Sequence, residues 1–96
     1  MSRRHYLITY DVSDDKRRNR VFQTLRDHGD HAQYSVFFCQ LTAMELAALR
    51  GQLIEFIHPR QDQVLIVDLG EAHNPLDAGL ESLGRRYLPP TRVLVV

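Results

Sequence analysis

Residues 32–40 read AQYSVFFCQ, and the number of strands they make decides the fold. The stretch is rich in aromatic and β-branched types. It reads as one strand, with Tyr34, Val36 and Phe38 on one face by period-two alternation. Upstream, residues 4–12 (RHYLITYDV) have the same character and read as another strand. A helix joins the two. Ser13 or Asp14 can cap it, and Asp14 and Asp15 suit the positive end of its dipole. Val21, Phe22 and Leu25 form its apolar stripe, and Gly29 ends it.

Downstream, Thr42-Ala-Met-Glu45 is a capping box, with Leu41 and Leu46 placed for a hydrophobic staple. Leu46, Leu49, Leu53, Phe56 and Ile57 carry a buried helical stripe to a stop at His58-Pro59. Residues 63–69 (QVLIVDL) read as a third strand. Asn74 and Pro75 then open a short helix with Leu76, Leu80 and Leu83 on one side, closed by Gly84. After Pro89-Pro90 the chain ends on TRVLVV, a final strand. The order is β-α-β-α-β, a short helix and a C-terminal strand. Strands alternating with amphipathic helices on one small sheet indicate an α+β, ferredoxin-like domain over residues 1–96, β-α-β-β-α-β or a variant of it. With 32–40 as a single strand running straight into a helix, the fit is loose. The apolar terminal strand needs a sheet edge to pair with, and a partner subunit can supply one.

The chain has 96 residues, enough for one domain. A domain of this size needs an efficient core or oligomerisation. Hydrophobic residues make up 44% and charged residues 25%, ordinary values for a soluble protein. No stretch resembles a signal peptide, and apolar runs fall far short of the ~20 residues that cross a bilayer. A cytoplasmic protein without a membrane partner is the expectation. The single cysteine, Cys39, excludes an internal disulfide and a Cys-rich zinc site, and reads as a buried small hydrophobe. Net charge is zero, which excludes a generically basic nucleic-acid binder. Its distribution is uneven: residues 1–29 hold seven Lys/Arg against four acids, and residues 30–96 hold five against eight. The feature to explain is a local basic patch.

That patch lies in residues 6–20, YLITYDVSDDKRRNR, where a strand ends on Asp11 and is followed by Lys16, Arg17, Arg18 and Arg20. The strand ending Tyr-Asp, the Ser-Asp-Asp turn, the Arg-rich helix start and the later QYSVFFCQL together resemble the second family of CRISPR-associated proteins, the small adaptation subunit often called an endoribonuclease. The resemblance covers roughly residues 5–70 well. It implies a ferredoxin-like homodimer in which the last strand of each chain pairs with the other's sheet. It also implies magnesium-dependent cleavage of phosphodiesters in RNA or double-stranded DNA, in antiviral defence. A complex with the CRISPR adaptation integrase that inserts new spacers is implied too, with a largely structural role there. Asp11 falls at the metal-binding and catalytic position. Tyr10, Arg18, Arg20 and Phe37 fall where functional residues are expected. Many members carry an Arg where this chain has His31, which is mostly uncharged at neutral pH.

Each of these residues also has a plainer role. Asp11 suits a Mg2+ ion, a hard cation that takes carboxylate oxygens, and equally suits the cap of the turn that follows. The Lys16, Arg17, Arg18 and Arg20 group is either a solvated helix face or a set of phosphate contacts. Cations at a helix N-terminus oppose the dipole, which favours the second, unless Asp14 and Asp15 neutralise them. Phe37 and Tyr34 fit a core or an interface more readily than a stacking platform. The five histidines show no metal-ligand spacing and read as surface residues. Two functions from different classes share the patch: a metal-dependent endonuclease, and a non-catalytic dimeric DNA-binding scaffold. A small RNA-binding domain is disfavoured, because the basic residues sit on the first helix and not on the central strands.

Overall fold

The computed structural model describes residues 2–89. Strand β1 (Arg4–Asp11) leads into helix α1 (Asp15–His28), then β2 (Asp30–Gln33), β3 (Val36–Leu41), α2 (Ala43–Phe56) and β4 (Gln63–Glu71). The order is β-α-β-β-α-β. The stretch 32–40 is therefore not one strand. Tyr34 and Ser35 form a turn, and β2 and β3 pair as an antiparallel hairpin, with Asp30 opposite Phe38 and Gln33 opposite Val36. Two residues suffice to join antiparallel strands. The turn carries neither Gly nor Asn, so no local signal marked it. With this split the ferredoxin-like plan is complete: a four-stranded antiparallel sheet in the order β2-β3-β1-β4.

Register places alternate side chains on the helix side. Tyr6, Ile8 and Tyr10 of β1 and Phe37, Cys39 and Leu41 of β3 meet Val21 and Leu25 of α1 and Leu46, Leu49 and Leu53 of α2. Val64 and Ile66 of β4 are partly buried against the same core. Both helix starts behave as expected. The Asp14 carboxylate accepts from the Arg17 backbone N–H, and the reciprocal Thr42–Glu45 capping box is formed.

The other sheet face is apolar and uncovered by helices. Leu7 pairs with Phe38 and Val67, and Thr9 with Val36 and Leu65. Leu65 and Val67 remain 50% and 45% exposed.

The helix expected over 74–84 is reduced to one 3-10 turn, Leu76–Ala78, and Leu83 is exposed. Its leucines have helical spacing, but Gly79 interrupts the run and Gly84 adopts a positive φ of 77°. So short a segment cannot offset helix nucleation without a face to pack on. The expected terminal strand, 91–96, lies outside the described residues. No helix among the described residues is long and apolar enough to cross a membrane.

Candidate nucleic-acid and metal site

Alternation along β1 decides where Asp11 points. Tyr10 faces the helices and is buried, so Asp11 takes the opposite face, that of Leu7 and Thr9, at the end of the strand. The Asp11 side chain is exposed, opposite Gln63 of β4 in register, and no ion pair among the described residues engages it. The alternative role as cap of α1 falls to Asp14.

The four cations behind it have separate fates. Arg17 is a structural residue: its Nε donates to Asp62 Oδ2 at 2.7 Å and one terminal nitrogen to Asp62 Oδ1 at 3.1 Å. The Asp62 carboxylate is completely buried and also accepts from the His58 backbone N–H. The hydrogen bond from Arg17 holds the Asp62 carboxyl below its ordinary range, with the His58 N–H adding to the effect. The guanidinium expected at a phosphate is thus committed to tying α1 to the loop before β4. Arg18 bends back to the Val12 and Ser13 carbonyls and to Asp15, keeping its side chain 39% exposed. Arg20 lies over the Phe56 ring, its guanidinium carbon 5.6 Å from the centroid. Lys16 is exposed and no ion pair among the described residues involves it. The cations at this helix start are therefore reconciled with the dipole largely by acids and carbonyls around them. Lys16, Arg20 and part of Arg18 remain for a phosphate backbone.

Phe37, which the resemblance puts at a nucleic-acid-binding position and whose residue type fits a core more readily, is a fully buried core residue. Its ring stacks against Tyr10, with centroids 6.4 Å apart, and against His31 at 4.9 Å, while Phe22 of α1 meets it edge-on at 5.6 Å. Position 37 therefore supports a row of rings and touches no solvent. His31 is the exposed end of that row. Its Nε2 lies 3.1 Å from the Tyr34 carbonyl oxygen, which can only accept, so Nε2 carries a proton. His5, in contrast to the expectation of a surface residue, is buried, with Nε2 2.8 Å from the Asn74 carbonyl. Tyr34 does not share a face with Val36 and Phe38; it sits in the hairpin turn and is 90% exposed.

Between α1 and the hairpin lies a cleft of about 420 Å³, on the helix side of the sheet at the same end as Asp11. Tyr10 closes its floor. Burial pushes the Tyr10 phenol above its ordinary value, with Arg18 opposing, so the hydroxyl is neutral at physiological pH. Burial also pushes the Cys39 thiol up to about 11, which removes it from nucleophilic chemistry.

One chain supplies a single carboxylate at the expected metal position, and no group of three His, Cys, Asp or Glu among the described residues could hold a metal ion. This donor set fits Mg2+ in one way only. Asp11 would be this chain's ligand to such an ion, which would otherwise keep most of its waters and meet substrate phosphate, without a dedicated protein cage.

Known proteins share the family and the fold of this chain. The sequence model of the family described as CRISPR associated protein Cas2 matches residues 4–74. A CRISPR-associated endoribonuclease Cas2 of Thermodesulfovibrio yellowstonii is 45% identical over 64 residues, 67% of this chain and 70% of that protein. Among solved structures, the hypothetical protein TT1823 of Thermus thermophilus superposes with a TM-score of 0.77 at 31% identity, covering 92% of this chain and 99% of that one. Streptococcus pyogenes Cas2 superposes with a TM-score of 0.72 at 30% identity, covering 83% and 99%.

Proposed function

The chain belongs to the Cas2 family of CRISPR-associated proteins, and from that premise we propose that it is a metal-dependent endonuclease of antiviral defence, cleaving phosphodiesters of RNA or double-stranded DNA. One observation carries the reading: Asp11 is an exposed carboxylate that no ion pair among the described residues engages, at the strand end that leads into the Arg-rich start of α1. Bound there, Mg2+ supplies charge neutralisation at the phosphate and an activated water. Asp11 contributes the charge that holds it. Lys16, Arg20 and the exposed part of Arg18 hold the phosphate backbone. Buried Tyr10 fixes the end of β1 from the helix side.

A homodimer fits the same reading. Asp11 shares the face of Leu7 and Thr9, on which Leu65 and Val67 are exposed, so pairing two chains there brings two Asp11 carboxylates to one interface. β4 is a sheet edge and can accept a strand from a partner chain. A second reading is favoured by the sparse donor set: a non-catalytic scaffold that holds duplex DNA for the CRISPR adaptation integrase during spacer acquisition.

Asp11→Asn separates the two. Asn keeps the shape of the side chain and removes the charge that a hard cation requires. The endonuclease reading expects magnesium-dependent cleavage of RNA or duplex DNA, stopped by EDTA in the wild type and lost in the variant, with the fold unchanged. Identical cleavage by both proteins excludes Asp11 as the metal ligand. No cleavage by either, with DNA binding intact, leaves the scaffold.

A further inference from the structure

The cleft between α1 and the β2–β3 hairpin is not used by the chemistry at Asp11, yet it has the makings of a base-binding site. Tyr34 is a large aromatic side chain left 90% exposed at a hairpin turn. No ring contact among the described residues involves it. His31, across the same hairpin turn, is a ring fixed on two sides. One face lies on Phe37, at 4.9 Å and 30°, and Phe22 meets it at 5.1 Å and 87°. The bond from Nε2 to the Tyr34 carbonyl pins its rotation. His31 is nonetheless exposed, and both residues line the cleft. Asn19, exposed on α1, adds an amide with both donor and acceptor, and Arg18 adds a guanidinium plane. Asp15, bound to Arg18, keeps the cleft from being strongly cationic, so it is poorly suited to a second phosphate.

We propose that this cleft takes one unpaired nucleobase of a single-stranded nucleic acid, with Tyr34 and His31 supplying stacking faces and Asn19 the hydrogen-bonding edge. Aromatic faces and an amide at one concave site are what recognition of a splayed base requires, and a paired base offers neither its face nor its Watson–Crick edge. The cleft lies at the same end of β1 as Asp11 but on the other side of the sheet. A nucleotide flanking the site can therefore turn its base in while the backbone follows the α1 cations. The inference rests on the nucleic-acid reading above and makes no use of cleavage.

The test is binding by fluorescence anisotropy in EDTA, with the full chain and two probes: a short single-stranded RNA carrying 2-aminopurine, and a blunt duplex DNA. Tyr34 is at the surface, so its replacement spares the core. Tyr34→Ala is expected to weaken single-strand binding by roughly 5- to 100-fold and to abolish the 2-aminopurine quench, as loss of one stacked base predicts. Duplex affinity stays at the wild-type value, Tyr34→Phe restores the stack, and Asn19→Ala weakens the single strand alone. An equal loss on both probes, an unaltered single-strand affinity, or a wild type that does not bind the single strand overturns the proposal. The binding assay holds no metal and so reads the cleft apart from cleavage: a protein that binds in this way and does not cleave when Mg2+ is added in a separate assay would sink the nuclease reading and leave the cleft standing.

Discussion

At the residue scale, Arg17 shows how charge position misleads when only sequence is read. Three neighbours in the run KRRNR share its type, and spacing alone gave all of them one role. What separates Arg17 is Asp62, 45 residues away and completely buried. No local pattern contains that partner. Phe37 is the same case: the motif around it was legible, but whether a strand residue faces helices or solvent depends on the register of the sheet. Asp11, by contrast, needed only the end of an apolar run. The Arg17–Asp62 pair predicts a pH dependence. Arg17 holds the folded-state pKa of Asp62 below its unfolded value. A depressed carboxylate contributes stability that is present above the unfolded pKa, about 3.9, and lost as pH falls through the lower folded value. Arg17→Ala is therefore expected to lower the urea midpoint at pH 7, and the gap to wild type narrows as pH drops below about 4. Equal gaps at pH 7 and pH 3 would show that the loss is one of packing, not of charge.

At the scale of elements, what was readable had a local cause. Both helices announced themselves through caps and periodic apolar residues, and both formed where expected. The β2–β3 turn did not, because Tyr-Ser carries no positive-φ preference and the alternation of AQYSVFFCQ runs through it without a break. Two glycines mark the difference between an element's interior and its junction. Gly29 ends α1 with an extended backbone, φ −167°, that any residue can adopt. Its need for glycine is spatial: a Cβ there would meet Cys39 Sγ and, at 2.5 Å, the Phe38 carbonyl oxygen. Gly51 lies inside α2, where a Cβ would meet nothing within 4 Å. Gly29→Ala should destabilise by about 1–3 kcal/mol, as overpacking does. Gly51→Ala should stabilise by about 0.5–1 kcal/mol through helix propensity. Chemical denaturation of the two variants checks both signs, and a neutral Gly29→Ala would mean that the hairpin yields to α1.

At the scale of the whole molecule, one sheet face is covered by two helices and the other by none. Leu7, Val36, Phe38, Leu65 and Val67 line that other face; residues 80–88 lie along its Leu7, Val36 and Phe38 part, with Tyr87 5.2 Å from the Phe38 ring, and Leu65 and Val67 are left exposed. In the proposed homodimer this face packs on its copy, and the free edge of β4 takes the partner's last strand. These are separable contributions. Val67 is half exposed in the single chain, so Val67→Asp leaves the core intact and places a charge on the face alone. A chain ending at Pro90 removes residues 91–96 alone. If the face holds the pair, sedimentation velocity finds Val67→Asp monomeric and the shortened chain still associating, more weakly. If the edge holds it, the shortened chain is the monomer and Val67→Asp remains paired. Two unchanged dimers would defeat both contacts and would separate Asp11 from its copy. The metal would then have a single carboxylate per chain, and the scaffold reading would gain over the nuclease.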